Sequence, residues 1–396
     1  MPARPHLDDP ERRARLARRH GLIEATRLRT PSEVADALVA LHATDTATIH
    51  LSIAARTADL TVEETTHAVG DGRELHRQLA MRRTQWAATA PTVAAMLAGP
   101  SVRVAEAERR LLATELQRSG VTVDGERWIR RAARDVIDAL ADDGELSATE
   151  IAATSRRLSR RVTRAPGTKW STEVGVTPRL LTILWAQGRV ARAANGGSWT
   201  VNRSRWTTPE RRYGAPLALP VPRTAWAALV QRWLERFGPG TEKDLRWWFG
   251  TTAAIIRTAL ADVDAVEVSL DDGRVGWVAQ GDEEPVGDPG RWAALLPTLD
   301  PTTMGHKERS FYTCGHDAQL YDGVGNGGTT VWVDGRMVGA WSTSPEGVVR
   351  LHLLDSLDPE AADLVAERAG RIEAFIGGRS VTGLYSSPLV AAARRR

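Results

Sequence analysis

The chain has 396 residues, 42% of them hydrophobic and 26% charged, a length and balance that predict a globular protein of two to four domains, each with its own core. No run of about eighteen apolar residues is long enough to span a bilayer, residues 1–21 lack the apolar segment of a secretory signal, and Cys314 is the single cysteine, which excludes an intrachain disulfide and a thiolate zinc cluster. The net charge is only +3, from 52 basic and 49 acidic side chains, and the expectation is a cytoplasmic, nucleoid-associated protein in a reducing compartment.

In chain order, a basic helix is predicted from about Asp8 to Leu22, with Pro10 in its first turn. Thr30 to Glu33 reads as a capping box, followed by Val34, Ala37, Leu38 and Leu41 at helical spacing. Residues 43–47 interrupt that helix before Ile49 and Ile53 resume the period. Leu75 to Met81 reads as a helix, Trp86 to Thr89 as a strand, and 92–97 as a further helix. After a helix from Val104 to Arg118, stopped by Gly120, the pattern starts again. Trp128, Val136, Ile137 and Leu140 line a helix ended by Gly144, Ser147 caps a short second helix, Glu173 to Trp185 forms a third, and a hairpin over 188–201 turns at Asn195 to Gly197. Four prolines in 209–222 mark a linker.

A third copy is the clearest: a helix from Trp226 to Phe237, a turn at 238–240, short helices at 242–248 and 255–260, and a hairpin over 265–278. Beyond an acidic connection at 282–290 come strands near 295–299, 329–334, 337–342 and 348–354, then a helix over 359–376 and a frayed basic tail. Helix, short helix, helix and hairpin in tandem is the pattern of a winged helix-turn-helix, a module that presents a helix to a nucleic-acid groove. The expected fold class is therefore α+β, with tandem winged-helix repeats at 1–119, 120–215 and 216–281 and a β-rich unit at 282–396.

Five blocks, at 38–45, 81–84, 236–248, 295–305 and 331–339, resemble the AlkZ/YcaQ-like winged-helix DNA glycosylases of bacteria, in family order and over nearly the whole chain. The resemblance implies tandem winged helices bent into a C and the excision of N7-alkylated purines, including bulky adducts and crosslinks. It also implies a catalytic Gln-x-Gln or Gln-x-Asp signature after the helix ending at Leu41. His42, Ala43 and Thr44 stand at that place here.

N7-alkylation makes the purine a cationic leaving group that needs no general acid. The task left is to position a water at C1′ and to stabilise an oxocarbenium-like sugar. A neutral imidazole has an acceptor nitrogen for that water, so His42 is a candidate base. Asp45 shares a face with it if the turn is helical, as orienter or cation stabiliser, and Thr44 is a candidate water holder. The same residues also read as a helix cap. Arg82 and Arg83 are candidate phosphate contacts or surface ion pairs, Lys169 precedes a helix beside Trp170, itself a candidate core residue, and Lys307 and Arg309 lie in a basic-aromatic loop. The histidines show no metal-ligand spacing, and no metal or organic cofactor is expected.

The sequence thus points to a monomer acting on damaged double-stranded DNA, with no membrane partner, as a monofunctional glycosylase. A non-catalytic DNA-binding protein on the same scaffold is the alternative, and a hydrolase of another nucleotide-like substrate a third.

Overall fold

The computed structural model describes residues 4–164 and 171–395. They form a mixed helix-and-sheet protein whose sheets are antiparallel, apart from the short pairing of His6–Leu7 with Val266–Leu270.

One strand topology occurs three times. In the first copy a strand at Leu41–His42 is followed by helices Thr46–Ala54 and Val62–Val69 and by a hairpin of His76–Leu79 and Gln85–Ala88, and the last strand lies between the other two. In the second copy helix Gly125–Asp143 precedes strand Leu146–Ser147, helices Ala148–Ala153 and Val176–Ala186, and strands Ala191–Arg192 and Arg205–Thr207, paired in the same first-third-second order. The third copy reduces its first strand to one bridge, Gly240 to Trp277, with helices Pro222–Phe237, Glu242–Phe249 and Ala253–Asp262 and the hairpin Val266–Leu270 and Val275–Val278.

The local causes are visible in the sequence. Thr30 with Glu33, Ser147 with Glu150, and Thr241 with Asp244 all form reciprocal caps, each satisfying amide groups that a first helical turn leaves without partners. Gly144, at φ 84°, ends helix Gly125–Asp143 in a conformation that a side chain would strain.

Four expectations change. Residues 76–79 are a strand, not a helix: Leu75 and Leu79 have helical spacing, but the segment pairs with 85–88 across a loop where Arg82 and Arg83 take φ 54° and 57°. The helix expected from Glu173 begins at Val176, because Thr172–Gly175 pairs with Arg161–Arg164. The second hairpin returns through Arg205–Thr207, beyond the limb expected before Val201. The tail is not frayed throughout: Ser387 caps helix Pro388–Ala393, which buries Val390.

One hydrophobic core draws on residues 16–98, 225–260 and 279–340, and a second belongs to the middle copy, from Leu79 to Trp206. A third lies between the four-stranded meander at 293–353 and helix Pro359–Ile376.

Two of the sequence blocks, at 236–248 and 295–305, turn out to hold joints of this packing. Asp300 receives Arg56 through two nitrogens, at 2.7 and 2.9 Å, and the Ser52 hydroxyl at 2.7 Å, in a pair with no exposed side-chain surface. Arg56 also donates to Thr302 Oγ1, which lies 2.8 Å from His20 Nδ1. Asp244 accepts the amides of Lys307 and Glu308, both at 2.8 Å. The arginines of helix Asp9–Arg19 are likewise spent on packing: Arg15 and Arg19 both bind Asp282.

Candidate active site

Comparing the three copies shows what is peculiar to the first. In the second, Ser147 ends the first strand and also caps the next helix, and in the third Gly240 is followed at once by the cap Thr241. In the first copy two residues, Ala43 and Thr44, stand between the strand end at His42 and the cap at Asp45. The extra pair lets the chain turn away from the strand before the helix starts, and the Ala43 amide still donates to Gln85 O at 2.8 Å.

His42 pairs across the sheet with Trp86, so both side chains stand on the same face, with ring centroids 5.1 Å apart. The imidazole residue is 3% exposed, and burial, helped by the nearby charge of Arg82, pushes its pKa down to about 3. The ring is therefore neutral at physiological pH. Its Nδ1 accepts a long bond, 3.5 Å, from the Thr44 amide, which favours the tautomer with hydrogen on Nε2.

Beside this face lies one guanidinium group, that of Arg82, and a second, that of Arg309, lies within electrostatic reach of the first. Arg82 sits 4.3 Å from the Trp247 ring and 5.7 Å from that of Trp86. Burial first, and the charge of Arg309 second, lower its pKa to about 10, leaving it fully protonated at neutral pH. Arg309 stacks 3.6 Å above the Tyr321 ring, with Asp317 at 3.5 Å. Arg82 Nε, Arg309 Nη1 and Thr44 Oγ1 are buried and have no hydrogen-bond partner among the described residues. Unspent buried polar groups are costly, and the Thr44 hydroxyl, two residues from His42, and Arg82 Nε, on the guanidinium whose charge acts on the ring, are available to a polar ligand near the imidazole. Gly250, at φ 63°, allows helix Glu242–Phe249 to end against this loop, since a Cβ there would lie 2.9 Å from the Arg82 amide nitrogen.

The expected His42–Asp45 pair is not made. Residue 45 is extended, at φ −96° and ψ 123°, so the helical geometry that pairing needs is absent. Its carboxylate accepts the Ala47 amide at 3.1 Å and the Leu384 amide at 2.8 Å. Asp45 instead lines a narrow crevice of about 20 Å³ with Thr48, Thr298, Ser342 and Tyr385, and burial raises its pKa against the opposing effect of those two amides.

Of the other sequence-derived candidates, Arg83 is ion-paired with Glu108, and Lys307 is exposed and separate from the buried Arg309. Lys169 lies outside the described residues. His50 is 2% exposed, its Nδ1 2.8 Å from Thr65 Oγ1, a packing position. Trp247 and Tyr321, the aromatics that support the two arginines, were not among the sequence-derived site candidates, since an aromatic supporting an arginine 165 or 12 residues away leaves no periodic signal.

The family described as DNA glycosylase AlkZ-like matches residues 35–375. Among solved structures, the Streptomyces sahachiroi DNA glycosylase AlkZ superposes with a TM-score of 0.71 at 19% sequence identity, over 94% of this chain and 97% of that one, a likeness of fold. No curated protein sequence matches the chain.

Proposed function

Because the chain belongs to the AlkZ-like DNA glycosylase family, we propose that it is a monofunctional DNA glycosylase that hydrolyses the N-glycosidic bond of N7-alkylated purines in duplex DNA. The three copies of one topology are read as tandem winged helices bent into a C around the duplex, with the protein acting as a monomer and without a cofactor.

The observation that supports the proposal is the two-residue insertion, which leaves the Thr44 hydroxyl without a partner among the described residues, two positions from neutral His42, whose ring feels the charge of Arg82. With Nδ1 accepting the Thr44 amide, the neutral ring has its Nε2–H left to donate to the water, where a glutamine side chain would offer two N–H donors and a carbonyl acceptor. His42 and Thr44 hold the water, and its oxygen forms the new bond to C1′. The C1′–N9 electron pair leaves with the alkylated purine, which departs neutral, and the water's proton passes to solvent. Arg82 and Arg309 bind the phosphate beside the damaged nucleotide. Residues 38–88 contain no lysine to form a Schiff base, which supports simple hydrolysis over lyase chemistry.

The test is a duplex carrying one N7-methylguanine, scored for alkali-labile abasic sites. Wild-type protein makes them and His42→Ala does not, while still binding the duplex. A non-catalytic DNA-binding protein is the second reading, favoured by the 3% exposure of His42 and the capping role of Asp45. Binding by the wild type without abasic sites would establish it.

A further inference from the structure

The helix that a winged-helix module would offer to a groove is not available in the middle copy. Along Val176–Ala186 nearly every side chain is buried, and Arg179 is held by Glu108 and Glu115. The cationic surface of this copy lies on its first helix instead.

Helix Gly125–Asp143 buries Ile129, Ala132, Ala133 and Val136 against the core. The face turned outward carries Arg127, Arg130, Arg131 and Arg134, spaced i, i+3, i+4, i+7, all exposed. None of these four guanidinium groups has a carboxylate or hydrogen-bond partner among the described residues. Of the acidic side chains near them, Glu126 is engaged with Arg109 and Asp135 with Arg157 and the Ser155 hydroxyl, while the exposed Asp138, one turn beyond Arg134, makes no ion pair among the described residues. Through Asp135 the segment 155–160, with exposed Arg156 and Arg160, is fastened to the same helix.

Local stability does not explain this arrangement. Four cations crowd the half of the helix nearest its amino terminus, the positive end of the macrodipole, and repel one another at i, i+3 and i+4. Elsewhere some exposed helix arginines are paired, Arg223 with Asp262 and Arg257 with Glu242, and those without a partner among the described residues, Arg103 and Arg118, stand fifteen residues apart rather than in one cluster. From Arg127 to Arg134 the strip runs about 10 Å, the length along a duplex axis of roughly three phosphates of one strand.

We infer that the outer face of helix Gly125–Asp143 is a docking strip for the sugar-phosphate backbone of undamaged duplex flanking the lesion, engaged independently of sequence. The inference rests on the DNA-acting function proposed above and adds a second contact, away from His42, that grips DNA whether or not a lesion is present. Such a strip contributes affinity and holds the protein on DNA between lesions, while the chemistry at His42 is unaffected once the complex has formed.

The test is binding of an undamaged duplex as a function of salt. Replacing Arg127, Arg130, Arg131 and Arg134 together by Gln lowers the slope of log K against log salt by about 2 to 3, at roughly 0.9 for each phosphate that is no longer neutralised. The control R371Q, at a guanidinium paired with Glu367 on helix Pro359–Ile376, leaves the slope unchanged, and base release from a lesion duplex at saturating protein is the same in the fourfold variant and the wild type. If the fourfold variant lacks the wild-type Tm, the single variants decide, each lowering the slope by up to about 0.9. An unchanged slope in a folded variant overturns the strip alone, as does loss of binding to single-stranded RNA or anionic vesicles with duplex binding intact. Failure of the wild type to bind duplex at all overturns both the strip and the proposed function.

Discussion

Burial sets the character of the two residues that matter most at the candidate site, in opposite senses. It strips His42 of its charge, with a pKa near 3, and it raises the pKa of Asp45. Because the His42 ring stays neutral down to that value, base release is expected to vary little with pH between 6 and 8.5 on its account, and a sigmoidal loss of rate centred near pH 6.5 would show a ring that titrates normally. Asp45 receives two amides, so Asp45→Ala should destabilise the fold by about 1–3 kcal/mol and Asp45→Asn by less, measured by urea unfolding. Equal stability of Asp45→Ala and wild type would show that the cap is unimportant. The reading of this segment as a helix cap was legible in the sequence, and Asp45 is that cap, but the expected partnership of His42 with Asp45 is not formed. It depended on a helical turn, and two inserted residues replaced that turn with extended chain.

At the level of elements, the caps at Thr30 and Ser147 were readable because reciprocal capping is local chemistry within four residues, and Thr241 with Asp244 repeats the device. The helix Pro359–Ile376 and the hairpin at Asp334 and Gly335 were readable for the same reason. The strand His76–Leu79 was hidden because its hydrogen bonds go to another strand and its side chains, Arg77 and Gln78 included, are buried on both faces. Nor did the sequence announce that Asp300 would take Arg56, some 244 residues away, as the joint between the first copy and the carboxyl-terminal sheet. Removing one partner strands the other's charge in the interior: Asp300→Ala is expected to cost about 3–5 kcal/mol, while replacing both residues together with Leu and Met costs much less. Chemical denaturation of the two single variants and the double variant measures the coupling, and additive losses would contradict it.

Across the whole molecule, buried histidines tie stability to pH. Burial pushes His42 and His50 down to about 3 and His76 and His306 to about 4, and holds His20 well below its ordinary value. Their folded pKa values lie below the unfolded value of about 6.5, so as pH falls the unfolded chain takes up protons first. Stability is present above pH 6.5 and is lost between there and about pH 3, by about 1.4 kcal/mol per pH unit for each ring. Unfolding midpoints at pH 7.5 and 5.5 should therefore differ clearly, His50→Gln should narrow the gap, and equal midpoints would contradict the burial of these rings.

The proposed hydrolysis depends on a neutral imidazole holding the water at the place where the family resemblance implies a glutamine. Single-turnover release of N7-methylguanine from a duplex by wild type, His42→Gln and His42→Ala tests this most directly. The predicted result is release by the wild type, retention of a substantial part of that rate in His42→Gln, and a loss of about 10²-fold or more in His42→Ala. An equal rate from His42→Ala, in a protein that folds and binds duplex as the wild type does, would contradict it.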